Sequence, residues 1–243
     1  MKKYIYKFYI SILKLLGFKI VHFLHIRKNA GTSIANSLIK KNQFKLFNNV
    51  IIQNKVAFLL HNHGFTLVDV KDDEFCFFVY REPVSRYISG FNSRLRKGAP
   101  TNYNEWTKLE EKYFSIYNTA EELAVDLASS DSQSNETAKL ALQSIGHINT
   151  FQLDWVRDLD YLRKRRKSVL FVARQKYLDQ DLRLGFQQLG LNWENANDDI
   201  ESHAAPSNQS KKLSEQSKQT ITDWYSKDYQ LLQVLLELNL IIK

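Results

Sequence analysis

The chain has 243 residues, and its composition is that of a globular protein rather than a disordered, collagen-like or disulfide-stapled one. Hydrophobic residues make up 44% and charged residues 25% of the sequence, with 8 Gly, 3 Pro and one Cys. The single cysteine, Cys76, excludes a disulfide framework and a four-cysteine zinc site. The net charge of +8 favours an anionic partner, such as a nucleotide, a nucleic acid, an acidic polymer or a membrane surface.

The first 18 residues, MKKYIYKFYISILKLLGF, are basic and apolar. One face of a helix formed by this segment carries Ile5, Phe8, Ile12 and Leu15. Such a stripe predicts a helix packed on the domain. A membrane-surface anchor and a cleaved signal peptide are the alternatives. Lys7 and Lys14 interrupt the apolar stretch, so the segment contains no uncharged span of about 20 residues that could cross a bilayer.

Apolar runs predict four strands, and the segments between them predict helices. The strands are predicted at 19–26, 56–60, 75–80 and 169–173. The helices are predicted at 34–40, 83–96, around 105–117, at 119–128, over most of 137–162, at 179–189 and, as one long helix, at 214–238. A loop is predicted at 129–135. Continuous apolar runs suit parallel strands covered on both faces, so the sequence predicts an α/β fold.

The segment HIRKNAGTSI at 25–34 joins the first predicted strand to a helix. The unpaired main-chain N–H groups and the positive dipole end of a helix N-terminus suit a phosphate. Gly31 allows close approach of the backbone, Thr32 and Ser33 add hydroxyl donors, and a positive charge comes from Lys28. The segment is not a Walker A loop, because its lysine precedes the glycine by three residues. An ordinary strand–helix turn is the alternative.

A second segment, REPVSRYISGF at 81–91, follows the strand predicted at 75–80. Arg81 ends that strand at the sheet edge where the first loop is expected. One polar helix face carries Arg86, Ser89, Gly90 and Ser93. The planar fork of Arg81 and the hydroxyl of Ser89 can then converge on one anion. A structural arginine at a strand end is the alternative. Together, the two segments predict a ligand with two separated phosphate-like groups.

These two motifs resemble those of sulfotransferases that use 3′-phosphoadenosine 5′-phosphosulfate (PAPS). HIRKNAGTSI resembles their 5′-phosphosulfate loop, and REPVSRYISGF resembles their 3′-phosphate motif, in which eight residues separate the Arg from the Ser. The resemblance is to the branch that holds bacterial sulfotransferase family 2 and heparan 2-O-sulfotransferases. It continues through 61–65, 147–152, 174–191 and 224–229. It implies an α/β, P-loop-like three-layer sandwich with a central, mainly parallel sheet flanked by helices.

The resemblance also implies ligand-binding residues. The 5′-phosphosulfate would be bound by Arg27, Lys28, Asn29, Ala30, Gly31, Thr32 and Ser33. The 3′-phosphate would be bound by Arg81 and Ser89. The sequence departs from the family pattern at Arg27, where Pro or Gly is usual, and at Asn29, where Thr is usual. Glu82 replaces the usual Asp.

By analogy with phosphoryl transfer, sulfuryl transfer requires side chains to do two things. Lys28 is placed to neutralise the charge that develops on the leaving phosphate. The acceptor hydroxyl must lose a proton, which suits an imidazole. His61 and His63 lie two residues apart, so in an extended segment both face the same side. In the heparan 2-O-sulfotransferase relatives, a His-X-His supplies the base.

We therefore predict His63 as the general base, with His61 as the alternative; a purely structural or substrate-binding role for both is the third interpretation. No metal is required, and HNH is a poor zinc site without further ligands. The predicted organisation is an N-terminal helix or extension at 1–18 and a single domain at 19–243 with a helical insertion at about 98–165.

The predicted function is transfer of the sulfuryl group from PAPS to an acceptor hydroxyl on a carbohydrate, with adenosine 3′,5′-bisphosphate (PAP) as product. The alternatives are a P-loop-type nucleotide kinase and a noncatalytic polyanion-binding module, the latter favoured by the net charge and the basic run at 163–167. The acceptor is predicted to be a glycan on a polysaccharide or glycolipid. An acidic glycan would suit Arg94, Arg96, Lys97 and the run 163–167.

No nucleic-acid partner is predicted. The missing membrane span and disulfides favour a bacterial cytoplasmic enzyme, with peripheral membrane contact through residues 1–18 as a further expectation.

Overall fold

Parallel strands dominate the central sheet in a computed structural model that describes residues 2–41, 45–47, 50–100, 103–194 and 212–242. Within these residues the sheet has six strands: β1 (Lys19–Leu24), β2 (Lys45–Phe47), β3 (Val50–Gln53), β4 (Val56–Leu60), β5 (Phe75–Tyr80) and β6 (Val169–Arg174). Their spatial order is β2-β3-β4-β1-β5-β6. The pairs β4–β1, β1–β5 and β5–β6 are parallel, whereas β2–β3 and β3–β4 are antiparallel.

The helices of the described residues are α1 (Lys2–Leu15), α2 (Gly31–Lys41), α3 (Pro83–Leu95), α4 (Lys108–Phe114), α5 (Ala120–Leu127), α6 (Ser132–Ser144), α7 (Leu159–Lys164), α8 (Leu178–Gln187), α9 (Glu215–Trp224) and α10 (Ser226–Glu237). The chain forms two compact units. The first comprises Met1–Tyr80, Leu153–Asp198 and Leu231–Lys243, and the second comprises Arg81–Gln152 and Asp199–Gln230.

The sheet of the first unit is covered on both faces, as continuous apolar strands require. Side chains alternate along β1, so that Val21 and Phe23 pack towards α2 and α8 while Ile20 and Leu24 pack on the opposite face. That opposite face is covered by α1 and by the last turns of α10. The predicted α/β three-layer sandwich with a mainly parallel central sheet is confirmed.

Aromatic rings fill the layer between the sheet and α8. The rings of Phe77 and Phe171 stack with centroids 5.0 Å apart, and those of Phe58 and Phe186 stack at 5.1 Å. These four side chains are almost wholly buried. Burial of each contributes about 1.5–3 kcal/mol to the stability of the folded state. A rigid sheet therefore holds the loops that leave its strand ends.

The second unit is helical and packs around α3. Tyr87 and Phe91 of α3 are fully buried with apolar residues of α4, α5, α6 and α9. The Tyr87 hydroxyl donates to the carbonyl of Ala120 at 2.7 Å. A buried ion pair between Arg94 and Glu110, with Nε–Oε1 at 2.6 Å, links α3 to α4. The basic residue Arg94 is therefore held inside this unit.

The predicted strands at 56–60 and 75–80 have the same bounds in the structure. The hairpin of β2 and β3 was not predicted. The segment predicted as a loop at 129–135 contains the start of α6, where the Asp131 side chain caps the helix by accepting from Ser134 N at 2.8 Å. The long helix predicted at 214–238 is two helices, because α9 ends at Trp224 and α10 begins at Ser226.

The predicted apolar face of α1 is wrong at Phe8 and Leu15, and the side chain of Ile5, also predicted to lie on it, is outside the described residues. Ile10 and Leu13 pack on the sheet, whereas the Phe8 and Leu15 side chains are 64% and 87% exposed. This orientation of α1 has an electrostatic as well as an apolar cause, because Lys14 lies on the packed side of the helix and pairs with Glu74 at 2.6 Å. In the described part of the chain, no helix has the length and apolar character needed to span a bilayer.

Candidate active site

The loop at residues 27–33 leaves the sheet after β1 and runs into α2, which begins at Gly31. Lys28 and Ala30 adopt left-handed backbone conformations, with φ of 65° and 61°. Such conformations cost roughly 1–3 kcal/mol each in residues other than glycine and concentrate at ligand-binding sites. Turns of this kind gather main-chain N–H groups around an anion. The loop and the N-terminus of α2 thus have the backbone form of a phosphate site.

Asn29 holds this loop against the sheet. Its side chain is 1% exposed, and its Nδ2 donates to the carbonyl of Val79 on β5 at 2.6 Å. The strands β1 and β5 are parallel neighbours, with Leu24 opposite Phe78, so the loop starts at the same edge where β5 ends. The side-chain amide of Asn29 is therefore engaged inside the protein. A ligand contact of this residue would come from its main chain.

The ring of His25 lies directly beneath Gly31. A Cβ at residue 31 would come within 1.9 Å of Cδ2 and 2.0 Å of Nε2 of His25, so a side chain has no room there. The His25 ring also contacts the ring of His63, with centroids 4.2 Å apart. The phosphate-type loop and His63 therefore contact the same imidazole.

The hydrogen bond of His63 fixes its tautomer. Its Nδ1 lies 2.8 Å from the main-chain carbonyl of His25, which can only accept, so Nδ1 carries the proton. The neutral ring then has its lone pair on Nε2. Burial lowers the pKa of His63 and the charge of Arg27 lowers it further, against the effect of the His25 carbonyl. His63 is therefore neutral at pH 7 and able to accept a proton at Nε2.

His61 is held by a different set of groups. Its Nε2 lies 2.8 Å from Nδ1 of His22, and Nε2 of His22 lies 2.9 Å from a carboxylate oxygen of Glu74. The His61 ring is stacked on Phe65 with centroids 3.5 Å apart. Burial lowers the pKa of His61 to about 3, and the charge of His22 adds to this effect.

The expectation that the two histidines face the same side is wrong. His61 binds His22, which shares the β1 face of Ile20 and Leu24. His63 binds His25, whose ring stacks on Phe23 of the other face, with centroids 5.7 Å apart. The alternation rule fails because the chain turns at residues 63–64 instead of staying extended.

Arg81 is fixed in the second unit by its main chain and its side chain. Gln152 accepts from Arg81 N at 2.9 Å through Oε1 and donates to Arg81 O at 2.8 Å through Nε2. The Arg81 guanidinium donates to Oγ of Ser85 from Nε at 3.2 Å and from Nη2 at 3.1 Å. The predicted partner residue Ser89 lies one turn further along α3 and is half-buried.

A second guanidinium lies close to Arg81. Arg86 is 1% exposed and donates to the carbonyl and the hydroxyl of Thr150, at 2.9 and 3.1 Å. Burial, together with the neighbouring charge of Arg86, lowers the pKa of Arg81 to about 10, against the effect of the Glu82 charge. A dianion bound here would offset the repulsion between the two cations. This part of α3 can thus hold a phosphate.

The predicted site residues therefore fall in both units. Residues 27–33, His61 and His63 belong to the first, and Arg81 and Ser89 to the second. Sequence reasoning missed the supporting residues: Ser85, Gln152, Glu74 and the roles of His22 and His25. Only Ser85 had a signal, since it follows Arg81 by four residues at the start of a predicted helix. Among the described residues, no three His, Cys, Asp or Glu side chains are grouped to hold a metal ion.

Comparison with known proteins identifies the family. A family model described as "Sulfotransferase family" matches residues 17–233. A search of curated proteins finds no match. The matched region includes the loop at 27–33, both histidines of the HNH segment and the Arg81 motif, so the resemblance to sulfotransferase family 2 is confirmed. The match covers most of the chain, and this protein therefore belongs to the sulfotransferase family.

Proposed function

We propose that the protein transfers a sulfuryl group from PAPS to a hydroxyl group of a glycan. The observation that carries the proposal is His63, which is neutral, has its lone pair on Nε2 and contacts the His25 ring, the same ring that lies against Gly31 of the loop at 27–33. A proton acceptor beside a phosphate-type loop suits transfer to a hydroxyl, because the acceptor must lose its proton as the new S–O bond forms.

The roles of the residues follow from their chemistry. Main-chain N–H groups of 27–33 and the N-terminus of α2 would bind the 5′-phosphosulfate of PAPS, which supplies the activated sulfuryl group. The Lys28 ammonium would offset the charge that develops on the leaving phosphate. Nε2 of His63 would accept the proton of the acceptor hydroxyl. Arg81 and Ser89 would bind the 3′-phosphate, with Ser85 and Gln152 orienting Arg81.

The basic residues on the surface bear on the acceptor. Lys164, Arg166 and Lys167 are exposed in the basic run and suit an acidic glycan. Arg165 does not belong to that surface, because it donates to the carbonyls of Val70 and Lys71 at 2.7 and 3.0 Å. The buried, ion-paired Arg94 is likewise no candidate for glycan contact. A cytoplasmic location with membrane contact through residues 1–18 stays a prediction.

Thermal unfolding with added nucleotide tests the cofactor. A ligand at 100 times its Kd stabilises the folded state by about 2.7 kcal/mol, so PAP should raise the Tm measurably. ATP with Mg²⁺ should change the Tm little, and the reverse pattern would favour a nucleotide kinase. Lys28→Ala should weaken PAP binding by roughly 10- to 100-fold, the usual effect of removing a charged hydrogen-bond partner. Lys40→Ala, at the exposed far end of α2, is the matched control and should bind PAP normally.

Incubation with labelled PAPS and a panel of glycans tests the reaction. Transfer of label to a neutral or acidic glycan supports the proposal and identifies the acceptor class. A protein that binds PAP but labels only non-carbohydrate hydroxyls, such as phenols or steroids, would retain the cofactor assignment and overturn the glycan assignment.

A further inference from the structure

His25 makes contacts with both halves of the proposed catalytic centre. Its ring occupies the space beneath Gly31, where the three atoms nearest to an added Cβ all belong to His25. The same ring lies against His63 at a centroid distance of 4.2 Å. The His25 ring therefore contacts both the loop that would bind phosphosulfate and the residue that would accept the proton.

A hydrogen bond and a ring contact join His25 to His63. The His25 carbonyl accepts from Nδ1 of His63 at 2.8 Å, and the two rings lie against each other. The segment after β1 and the segment after β4 are thus linked through one residue. Burial and the neighbouring His63 lower the pKa of His25 to about 4, so the ring is neutral at pH 7 and adds no charge beside the base.

We propose that His25 is a positioning residue whose ring sets the distance between the loop at 27–33 and the base His63. This inference rests on the proposed function. Proton abstraction at a hydroxyl requires the base within hydrogen-bond reach of an acceptor that is itself in line with the sulfuryl group. A displacement of about 1 Å can lower a rate by roughly 100-fold. A rigid aromatic ring in contact with both the loop and the base limits such a displacement.

A double-mutant cycle of Gly31 and His25 tests this role. Gly31→Ala places a methyl group where the His25 ring lies, so the effect of this change should reach His63 through that ring. We expect Gly31→Ala to lower kcat by about 10- to 100-fold and to shift the pKa of His63, measured by NMR of labelled histidine. In the His25→Ala background, where the ring is absent, adding Gly31→Ala should shift the pKa of His63 much less than it does in the wild-type protein.

Two further variants provide controls. Gly64→Ala is the same substitution beside the HNH segment, but its Cβ would meet only Asn62 Oδ1, at 3.6 Å, so it should leave kcat and the pKa of His63 unchanged. His25→Phe keeps an aromatic ring of similar width under Gly31. It should retain much more activity than His25→Ala.

The outcomes separate this inference from the proposed function. Equal effects of Gly31→Ala in both backgrounds, or an unchanged pKa of His63 in His25→Ala, would overturn the positioning role. The NMR titration does not require an acceptor or turnover, so it remains decisive if PAP fails to bind the wild-type protein. Absence of PAP binding to the wild type would overturn the proposed function alone. If His25→Ala does not fold, Gly31→Ala and His25→Phe still test the link.

Discussion

Two histidine pairs lie side by side in the first unit, and they are built in opposite ways. Each joins one residue of the β1 region to one residue of the HNH segment: His22 to His61, and His25 to His63. The first pair is backed by the buried carboxylate of Glu74, which is 2% exposed, and through it by Lys14. In the second pair, the main-chain carbonyl of His25 holds Nδ1 of His63, and the pair lies beside the loop at 27–33.

The difference indicates which histidine can act as a base. The carboxylate of Glu74 can only accept, so Nε2 of His22 donates to it. Burial raises the pKa of Glu74, but hydrogen bonds from His22 and Lys14 outweigh this effect and lower it to about 2. His61, with a pKa of about 3 and a ring covered by Phe65, is a weak proton acceptor. We infer that the buried pair stabilises the fold and the other pair serves the reaction.

Replacement of each candidate base should give the largest effect on kcat, and it tests the comparison of the two histidine pairs. We expect His63→Ala to lower kcat by about 10²- to 10⁴-fold, the usual contribution of a general base, while PAP still raises the Tm. His61→Gln keeps a donor for Nδ1 of His22 and should lower kcat less than 10-fold. Rates of labelled sulfuryl transfer would decide. A large loss in His61→Gln with normal turnover in His63→Ala would assign the base to the buried pair instead.

The stabilising role of the buried pair is tested at Glu74. Glu74→Gln removes the charge that accepts from His22 and pairs with Lys14, and should destabilise the protein by about 1.5–3 kcal/mol in urea unfolding at pH 7. Asp73→Asn is the matched control, because Asp73 binds the same Lys14 at 2.8 Å from a side chain that is 66% exposed. Exposed pairs contribute less than about 1 kcal/mol. Equal effects of the two changes would contradict a structural role for the buried network.

Acid should lower the free energy of unfolding of the protein, in part because of His61. The folded-state pKa of about 3 lies below the ordinary value of about 6.5, so at intermediate pH the unfolded chain binds a proton that the folded chain does not. Stability is therefore lost as pH falls through this window, by about 2 kcal/mol between pH 7 and pH 5 from this group. His61→Gln should remove that part of the loss in urea unfolding at both pH values. An unchanged difference between the two pH values would show that His61 titrates normally.

Patterns in consecutive residues predicted those strands and helices whose bounds are set by the residues of the segment itself. The run FCFFVY followed by Pro83 gave both the bounds of β5 and the start of α3. The strands β2 and β3 were missed because they are short, although Asn54 in the turn between β3 and β4, with φ of 52°, is a residue type that tolerates this conformation. The phosphate-type loop was found because its chemistry lies in consecutive residues.

The buried network could not be predicted in the same way. His22 and Glu74 are 52 residues apart, and their pairing depends on the alignment of β1 and β5 rather than on any spacing in the sequence. His25 has no distinguishing signal either, because its role depends on the missing Cβ of Gly31. Which histidine faces which side was likewise set by the turn at 63–64.

The smallest expected effect concerns backbone strain. Of the two histidine pairs, only the His25–His63 pair lies beside a loop with strained backbone. Ala30, with φ of 61°, is held in a conformation that glycine adopts without cost. Ala30→Gly should therefore stabilise the protein by up to about 1 kcal/mol. Ala35→Gly, inside α2, should instead destabilise it by about 1 kcal/mol, since glycine is a poor helix former. Opposite signs in urea unfolding would show that the loop stores strain. The same sign in both variants would show that the loop at Ala30 is relaxed, and that the contrast between the two pairs lies in their hydrogen bonds only.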